Sequence, residues 1–189
     1  ERLGHFLTRT ALVMKPVYDR ARDDRQRVVY AEGEEETVLR AVQTVVDEGL
    51  AFPILIGRPE VIETRIQKLG LRLVEGRDFE LTNINDDPRF HEYWQEFHAM
   101  SERRGITPDS AKNLMRSRPS LIAAMMVHRG EADAMLCGMV GRFHKKLSYI
   151  RAVLPLERGV QSTSAMTGVV SDRGLWFFLD THVQEDPTA

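Results

Sequence analysis

A basic segment stands out as the part of this sequence best equipped to bind a ligand. The stretch Gly138 to Arg151, GMVGRFHKKLSYIR, follows an apolar run and combines two glycines with five basic residues: Arg142, His144, Lys145, Lys146 and Arg151. Open α/β sheets bind ligands at the carboxyl ends of their strands, where this segment is expected to lie. The pattern therefore predicts a site for a polyanion such as phosphate or pyrophosphate. The alternative is that the lysines only solvate a helix and the glycines only form its turn.

Proton-transfer and thiol chemistry have weaker candidates. His144 and His182 titrate near neutral pH, but neither has a carboxylate at a fixed spacing, so a packing or surface role is favoured. Cys137 lies among apolar residues, which favours a buried thiol without chemical function. The chain has no GxSxG, P-loop, HExxH or complete GxGxxG pattern. No catalytic residue is therefore assigned.

A second charged cluster is acidic and comes early in the chain. Glu32, Glu34, Glu35 and Glu36 surround Gly33, just before helical spacing begins. Negative charge in the first turn of a helix is favourable by about 0.3–1 kcal/mol per residue, whereas it repels phosphate. The cluster lacks the interleaved spacing of a metal-binding loop. We therefore interpret these acids as structural and expect no metal site, so a phosphorylated ligand must be held elsewhere.

Composition places the chain among ordinary globular proteins. It has 189 residues, 42% of them hydrophobic and 29% charged, with a formal net charge of -2. These values argue against disorder and against a nucleic-acid-binding surface. A single cysteine excludes a disulfide framework and favours a reducing compartment. No apolar run reaches the length of a membrane span, and no signal peptide is recognisable, so a cytoplasmic location is expected.

The apolar periodicity predicts the elements that position these residues. The stretch Arg27 to Arg40, RVVYAEGEEETVLR, indicates a strand, a tight turn and a helix. The following runs indicate, in order, strand 52–57, helix 59–70, strand 79–84, helix 87–105, helices beginning at Pro108 and Pro119, strand 133–137 and helix 145–154. Strands separated by helices favour an α/β fold in which a mostly parallel sheet is sandwiched by helices. Residues 162–170 and 175–180 instead predict an antiparallel pair that enters a second subdomain.

Several longer segments resemble the phosphotransacetylase family. They are RVVYAEGEEETVLRAVQ, PILIGRPEVIETRIQKLGL, DPRFHEYWQEFHAMSERRGITPDSA, MMVHRGEADAMLCGMVGRFHKKLSYI and WFFLDTHVQEDPTA. The similarity is closer still to the phosphotransacetylase-like C-terminal domain of hybrid NADP-dependent malic enzymes. It implies a two-lobe fold, like that of isocitrate and isopropylmalate dehydrogenases, with a cleft that receives coenzyme A.

The resemblance also implies how the chain is divided and assembled. Residues 1–24 resemble the segment that enters from a preceding malic enzyme part, residues 25–155 the first lobe, and residues 156–189 the truncated start of the second lobe. The candidates for the acetyl-CoA and phosphate cleft are Arg142, His144 and Lys145, with Asp180, Thr181 and His182 at the next strand end as secondary candidates. The family implies a two-fold dimer and, for the parent enzyme, a higher oligomer, bound NADP and a divalent metal outside this chain.

Two positions depart from active family members. Ser101 and Ser148 align with arginines that the family associates with the acyl or phosphate end of its active site. A charge-assisted hydrogen bond contributes about 1.5–3 kcal/mol, so losing two weakens phosphate or transition-state binding by about 3–6 kcal/mol. Arg103, Arg104 and Arg142 are possible partial replacements by their position in the sequence.

Two functions remain open on this reasoning. The first is a domain that binds acetyl-CoA and inhibits an attached NADP-dependent malic enzyme without acyltransferase activity of its own. The second is a working phosphate acetyltransferase, which exchanges acetyl groups between coenzyme A and phosphate. The serines at positions 101 and 148 favour the first. A purely oligomer-stabilising role is compatible with it.

Overall fold

A parallel β-sheet forms the centre of the larger part of the molecule. The computed structural model describes residues 2–171, 173–180 and 183, with side chains from residue 10 onward. The sheet has four parallel strands: β1 (Gln26–Tyr30), β2 (Ala51–Gly57), β3 (Glu80–Asn83) and β4 (Ala134–Leu136). Their spatial order is β3-β2-β1-β4. Strands β2 and β3 thus lie on one side of β1 and β4 lies on the other, so the strand order reverses between β1 and β4. The predicted parallel α/β architecture is confirmed.

Helices cover both faces of the sheet because successive strand residues point in opposite directions. The first face is covered by α2 (Glu36–Asp47) and α3 (Pro59–Lys68), which pack against Tyr30 and Leu55. Val29, Ile54 and Ile56 point to the opposite face. That face is covered by four helices: α4 (Phe90–Ser101), α5 (Pro108–Ser117), α6 (Pro119–His128) and α7 (Phe143–Val153).

The helix starts follow local sequence signals. Pro59, Pro108 and Pro119 each occupy the first turn of a helix, where a missing N–H costs nothing. Thr107 caps α5 by accepting a hydrogen bond from the Ser110 N–H at 3.2 Å. Glu102–Arg104 form a short 3-10 turn after α4, which ends at Gly105 in a left-handed conformation. These boundaries lie within a few residues of those predicted.

Helix α6 is the most buried element of the sheet-containing unit. Residues 120–126 are all buried, and apart from Ser120 their side chains are apolar around the whole circumference. Such a helix can only be stable inside a core, since no face of it suits water. Its position between the sheet and α7 fixes where its N-terminus points.

The turn between β1 and α2 passes unusually close to β2. The Gly33 N–H donates to the Ile56 carbonyl at 3.1 Å. A Cβ atom at Gly33 would come within 2.8 Å of that same oxygen. Glycine is therefore required here by close backbone approach.

Residues 24–155 form one compact unit, and the described residues before and after it belong to a second unit. In the second unit lie helix α1 (Arg2–Asp23) and the antiparallel strands β5 (Met166–Ser171) and β6 (Gly174–Leu179). The antiparallel pair was predicted, whereas α1 was not assigned from the sequence and contains Pro16 within its span. The assignment of these parts to phosphotransacetylase lobes stays a prediction. No helix in the described residues has the length and apolar character needed to cross a membrane.

Candidate functional site

A cavity of about 640 Å³ opens at the carboxyl edge of the parallel sheet. Ala31, Gly57 and Ile84 line it, and each lies at or directly after the end of β1, β2 or β3. The loop that follows β4 contributes Val140, Gly141 and Arg142. The cavity therefore spans the point where the strand order reverses, which is the usual ligand position in open α/β sheets.

Helix N-termini converge on this cavity, and three of them begin after an arginine. Arg58 precedes α3, Arg118 precedes α6 and Arg142 precedes α7, and all three line the cavity. None of these arginines caps its helix through a side-chain hydrogen bond. The positive ends of the helix dipoles add to the positive charge of the side chains. The arrangement favours an anionic ligand.

The acidic turn before α2 forms one side of the cavity. The Glu34 carboxylate accepts hydrogen bonds from Nε and Nη2 of Arg58 at 2.9 and 2.8 Å, and from the Arg58 backbone N–H at 2.9 Å. The side-chain hydrogen bond from Arg58 holds the pKa of Glu34 below its ordinary value. Arg65 also donates to the Glu34 carbonyl oxygen. Arg58 is therefore neutralised by its acidic neighbour.

Glu32 crosses the cavity floor to the loop after β4. Its carboxylate pairs with the Lys146 ammonium, and the two side chains are only 10% and 16% exposed. Both oxygens also accept from the Gly138 N–H at 3.2 Å, where the backbone has φ of 121°. Burial lowers the pKa of Lys146, as expected for an ammonium removed from water. This pair fixes the loop and the first turns of α7 against the end of β1.

Arg118 is held on the opposite side by a tyrosine rather than by an acid. Its Nε donates to the Tyr149 hydroxyl oxygen at 3.1 Å, and its guanidinium lies 5.9 Å from the centre of that ring. Nη1 donates to the Ser117 carbonyl at 3.2 Å. Tyr149 lies in the middle of α7, so the contact joins the start of α6 to the middle of a packed neighbouring helix.

Three cations of the cavity have no carboxylate partner among the described residues. Arg118, Arg142 and Lys145 line the cavity but take part in no ion pair there, in contrast to Arg58 and Lys146. We call these three residues the basic wall. On the acidic side, Glu32 and Glu34 are already paired. The positive charge that remains available to a ligand is therefore concentrated on the basic wall.

The residues predicted from the sequence are only partly brought together. Arg142 and Lys145 line the cavity, whereas His144 is exposed and packs edge-to-face on Phe143. Asp180 lies in the second unit with a left-handed backbone at φ of 57°, and its N–H donates to the Ala165 carbonyl. Thr181 and His182 lie outside the described residues. The ligand-binding role of all six stays a prediction.

The two serines that replace family arginines occupy different environments. Ser148 is exposed on α7, one turn after Lys145, whose carbonyl accepts its Oγ hydrogen bond at 2.7 Å. Ser101 is 2% exposed and donates to the Phe97 carbonyl within α4. It does not line the cavity. In this chain, only position 148 could therefore present a longer side chain without entering the core.

Several cavity residues escaped prediction. In the sequence, Arg118 only precedes the helix predicted to begin at Pro119, Tyr149 carries no signal of its own, and the acidic turn is interpreted as structural alone. That interpretation is incomplete, because Glu32 and Glu34 line the cavity and neutralise two of its cations. Within the described residues, no group of three histidine, cysteine or acidic side chains could hold a metal ion.

Comparison with known proteins places these features in a family. Residues 12–189 match the family model described as phosphate acetyl/butaryl transferase. The chain is 49% identical to an NADP-dependent malic enzyme of Salmonella typhimurium and 48% identical to one of Escherichia coli, covering 100% of this chain and 25% of each enzyme. A phosphotransacetylase structure from Streptococcus pyogenes shares the fold, with a TM-score of 0.78, 23% identity, and coverage of 93% of this chain and 54% of that one. The chain thus spans 25% of the length of these malic enzymes, and the resemblance seen in the sequence is confirmed.

Proposed function

The chain belongs to the phosphate acetyl/butaryl transferase family, and we propose that it is an acetyl-CoA-binding regulatory domain of an NADP-dependent malic enzyme, without acyltransferase activity of its own. The similarity to malic enzymes supports the attachment, since it extends over the whole chain at 43–49% identity to NADP-dependent malic enzymes of Salmonella typhimurium, Escherichia coli and Haemophilus influenzae. In this proposal, the parent enzyme oxidises and decarboxylates malate to pyruvate. NADP and a divalent metal are bound by its malic enzyme part, outside this chain.

One observation carries the ligand assignment. The cavity at the strand-order reversal contains three cations without carboxylate partners in the described part of the chain. Coenzyme A carries a pyrophosphate and a further phosphate, and arginine binds such groups through two parallel hydrogen bonds. A volume of about 640 Å³ lies within the usual range of small-molecule sites. The cavity therefore suits part of an acetyl-CoA molecule.

The absence of acyltransferase activity rests on position 148. Acetyl transfer from coenzyme A to phosphate needs positive charge aimed at the attacking phosphate and the reacting thioester, because catalysis comes from interactions that strengthen in the transition state. Ser148 offers only a hydroxyl, which is already hydrogen bonded to its own helix. The position of Ser101 in the core weakens the argument from that residue, since an arginine there has no open path to the cavity.

Regulation requires more than binding. Acetyl-CoA can inhibit the attached enzyme only if it binds the inactive arrangement more tightly than the active one. The Glu32–Lys146 contact is a candidate carrier of that difference, because it links the cavity floor to the loop that carries Arg142.

Assembly into a homo-oligomer is part of the same proposal. Five consecutive residues of β6, Leu175 to Leu179, are between 43% and 69% exposed although all are apolar. Exposed apolar strands of this kind are normally covered by another surface. Light scattering on the full-length protein, with and without the domain, tests whether the domain contributes to assembly.

Two measurements on the full-length protein that contains this chain test binding and chemistry separately. Calorimetric titration should detect acetyl-CoA binding, while incubation with acetyl-CoA and phosphate should form no acetyl phosphate in a hydroxamate assay. Sustained acetyl phosphate formation would favour the alternative, an active phosphate acetyltransferase. Absence of acetyl-CoA binding would remove the basis of the regulatory proposal.

A further inference from the structure

The basic wall differs from the rest of the cavity in how its charges are satisfied. Arg58 and Lys146 face Glu34 and Glu32, so an incoming anion would have to displace a carboxylate to reach them. No described carboxylate pairs with Arg118, Arg142 or Lys145. A phosphate group gains most where positive charge is already unpaired, since no internal ion pair must be broken.

Arg118 is also held in place before any ligand arrives. Its Nε is engaged by Tyr149 and its Nη1 by the Ser117 carbonyl, and the guanidinium is half-buried beside the tyrosine ring. Nη2 donates to no described residue. A guanidinium held through Nε and one N–H of Nη1 keeps the second N–H of Nη1 and both N–H groups of Nη2 for a ligand. It can therefore still make a bidentate contact with phosphate through its two terminal nitrogens. Holding it in advance reduces the entropy lost on binding.

The opposite side of the cavity disfavours phosphate. Glu32, Glu34 and Glu35 all line it, and only the first two have ion-pair partners in the described chain. A doubly charged ligand group is therefore repelled from the end of β1 and attracted to the starts of α6 and α7. This asymmetry favours one orientation of a ligand that carries phosphate at one end.

We propose that the basic wall binds the phosphate-bearing end of the ligand, that Arg118 makes the bidentate contact, and that Tyr149 is the residue that positions Arg118. This inference rests on the proposed function for the identity of the ligand. The phosphate chemistry itself is shared by coenzyme A, inorganic phosphate and pyrophosphate. The arrangement supplies positive charge from helix starts in a chain that lacks an arginine at position 148.

Calorimetry on the full chain tests this with three probes: acetyl-CoA, inorganic pyrophosphate, and acetylpantetheine, which has the thioester but no phosphate. Arg118→Gln should weaken the binding of acetyl-CoA and of pyrophosphate by about 10- to 100-fold, the range expected for a charge-assisted contact. Arg142→Gln, at an exposed position, should weaken both by about 3- to 10-fold. Arg116→Gln is the matched control, because Arg116 stacks on Phe90 outside the cavity and should change neither by more than about twofold.

The positioning role has its own readout. Tyr149→Phe should weaken pyrophosphate binding by about 3- to 10-fold in the wild-type background and leave it unchanged in the Arg118→Gln background. A purely structural effect of Tyr149 would appear equally in both backgrounds and would overturn the positioning role. Arg118→Lys retains the positive charge but not the planar guanidinium that makes two parallel hydrogen bonds. It should recover only part of the pyrophosphate affinity that Arg118→Gln loses.

The probes separate this inference from the proposed function. If acetyl-CoA fails to bind but pyrophosphate binds in an Arg118-dependent manner, the basic wall stands and the acetyl-CoA proposal fails. Acetyl-CoA binding that is insensitive to both Arg118→Gln and Arg142→Gln would overturn the basic wall and leave the proposed function intact. Acetylpantetheine binding as tightly as acetyl-CoA would likewise overturn it. If Arg118→Gln does not fold, Arg142→Gln decides the outcome alone.

Discussion

Replacing Glu32 with glutamine removes the negative charge that faces Lys146 while retaining a side chain of the same shape. Both members of this pair are largely buried, at 10% and 16% exposure. Removing one partner of a buried pair costs about 3–5 kcal/mol, because the other charge is left without compensation. We expect the lower end of this range for Glu32→Gln, since its amide oxygen can still accept the Gly138 N–H.

The complementary change, Lys146→Met, leaves the carboxylate buried and should cost a similar amount. The double variant leaves no uncompensated charge, so its cost should be smaller than the sum of the two by about 1.5–3 kcal/mol. This coupling free energy is the quantity that isolates the pair. It does not depend on the cost of each substitution in itself.

Urea unfolding followed by Trp94 fluorescence in a Trp176→Phe background provides the measurement. Trp94 packs against the core of the sheet-containing unit, whereas Trp176 lies in the second unit and is 53% exposed. The fluorescence change therefore reports the unit that contains the Glu32–Lys146 pair. Linear extrapolation gives the free energy of unfolding of each variant.

The chain contains a matched control. Lys68 and Glu36 form another lysine–glutamate pair, with a separation of 3.6 Å and exposures of 72% and 49%. An exposed pair of this kind should show a coupling of about 0–1 kcal/mol. If the Glu32–Lys146 coupling is no larger than that of the control pair, the contact does not fix the loop against the cavity floor.

Three further predictions concern stability, each measured by the urea midpoint. Leu121→Ala should cost about 2–5 kcal/mol, because Leu121 is fully buried in α6; a cost below about 1 kcal/mol would contradict the packing described. Glu34 has a folded-state pKa below its ordinary 4.5, so its contribution should be fully present above pH 4.5 and lost as the pH falls through the lower folded value. The difference between wild type and Glu34→Gln should therefore shrink on acidification, and a constant difference would contradict this. Ser148→Arg should change the free energy of unfolding by no more than about 0.5 kcal/mol, because position 148 is exposed. Ser101→Arg should lower it by more than about 3 kcal/mol, because it forces a charge into the core. Equal effects would contradict the different environments of the two serines.

Local signals explain why much of the fold could be predicted from the sequence. The strand-turn-helix at Gly33 and the helices led by Pro59, Pro108 and Pro119 are specified by neighbouring residues, so apolar periodicity and turn chemistry were sufficient. Arg142 and Lys145 were found because they directly follow a strand, and parallel strands bring such positions to one edge. Helix α1 gave no such signal, and Pro16 within it is ordinarily a mark of helix interruption.

The residues that could not be predicted depend on distant partners. Glu32 and Lys146 are 114 positions apart, and Glu32 becomes a counter-ion only when the fold brings the first turns of α7 to the turn that follows β1. Arg118 looks like an ordinary helix start until the burial of α6 directs that start into the cavity. Ser101 aligned with a family arginine, but alignment alone does not reveal that the serine faces the core in this chain.

We propose that acetyl-CoA bound at this cavity controls an attached malic enzyme. The most direct test is to titrate the full-length protein containing this chain with acetyl-CoA while following malate-dependent NADPH formation. We predict a saturable fall in rate that Arg142→Gln displaces to acetyl-CoA concentrations about 3- to 10-fold higher, with Arg116→Gln unchanged. A rate unaffected by acetyl-CoA at every concentration tested would contradict the claim.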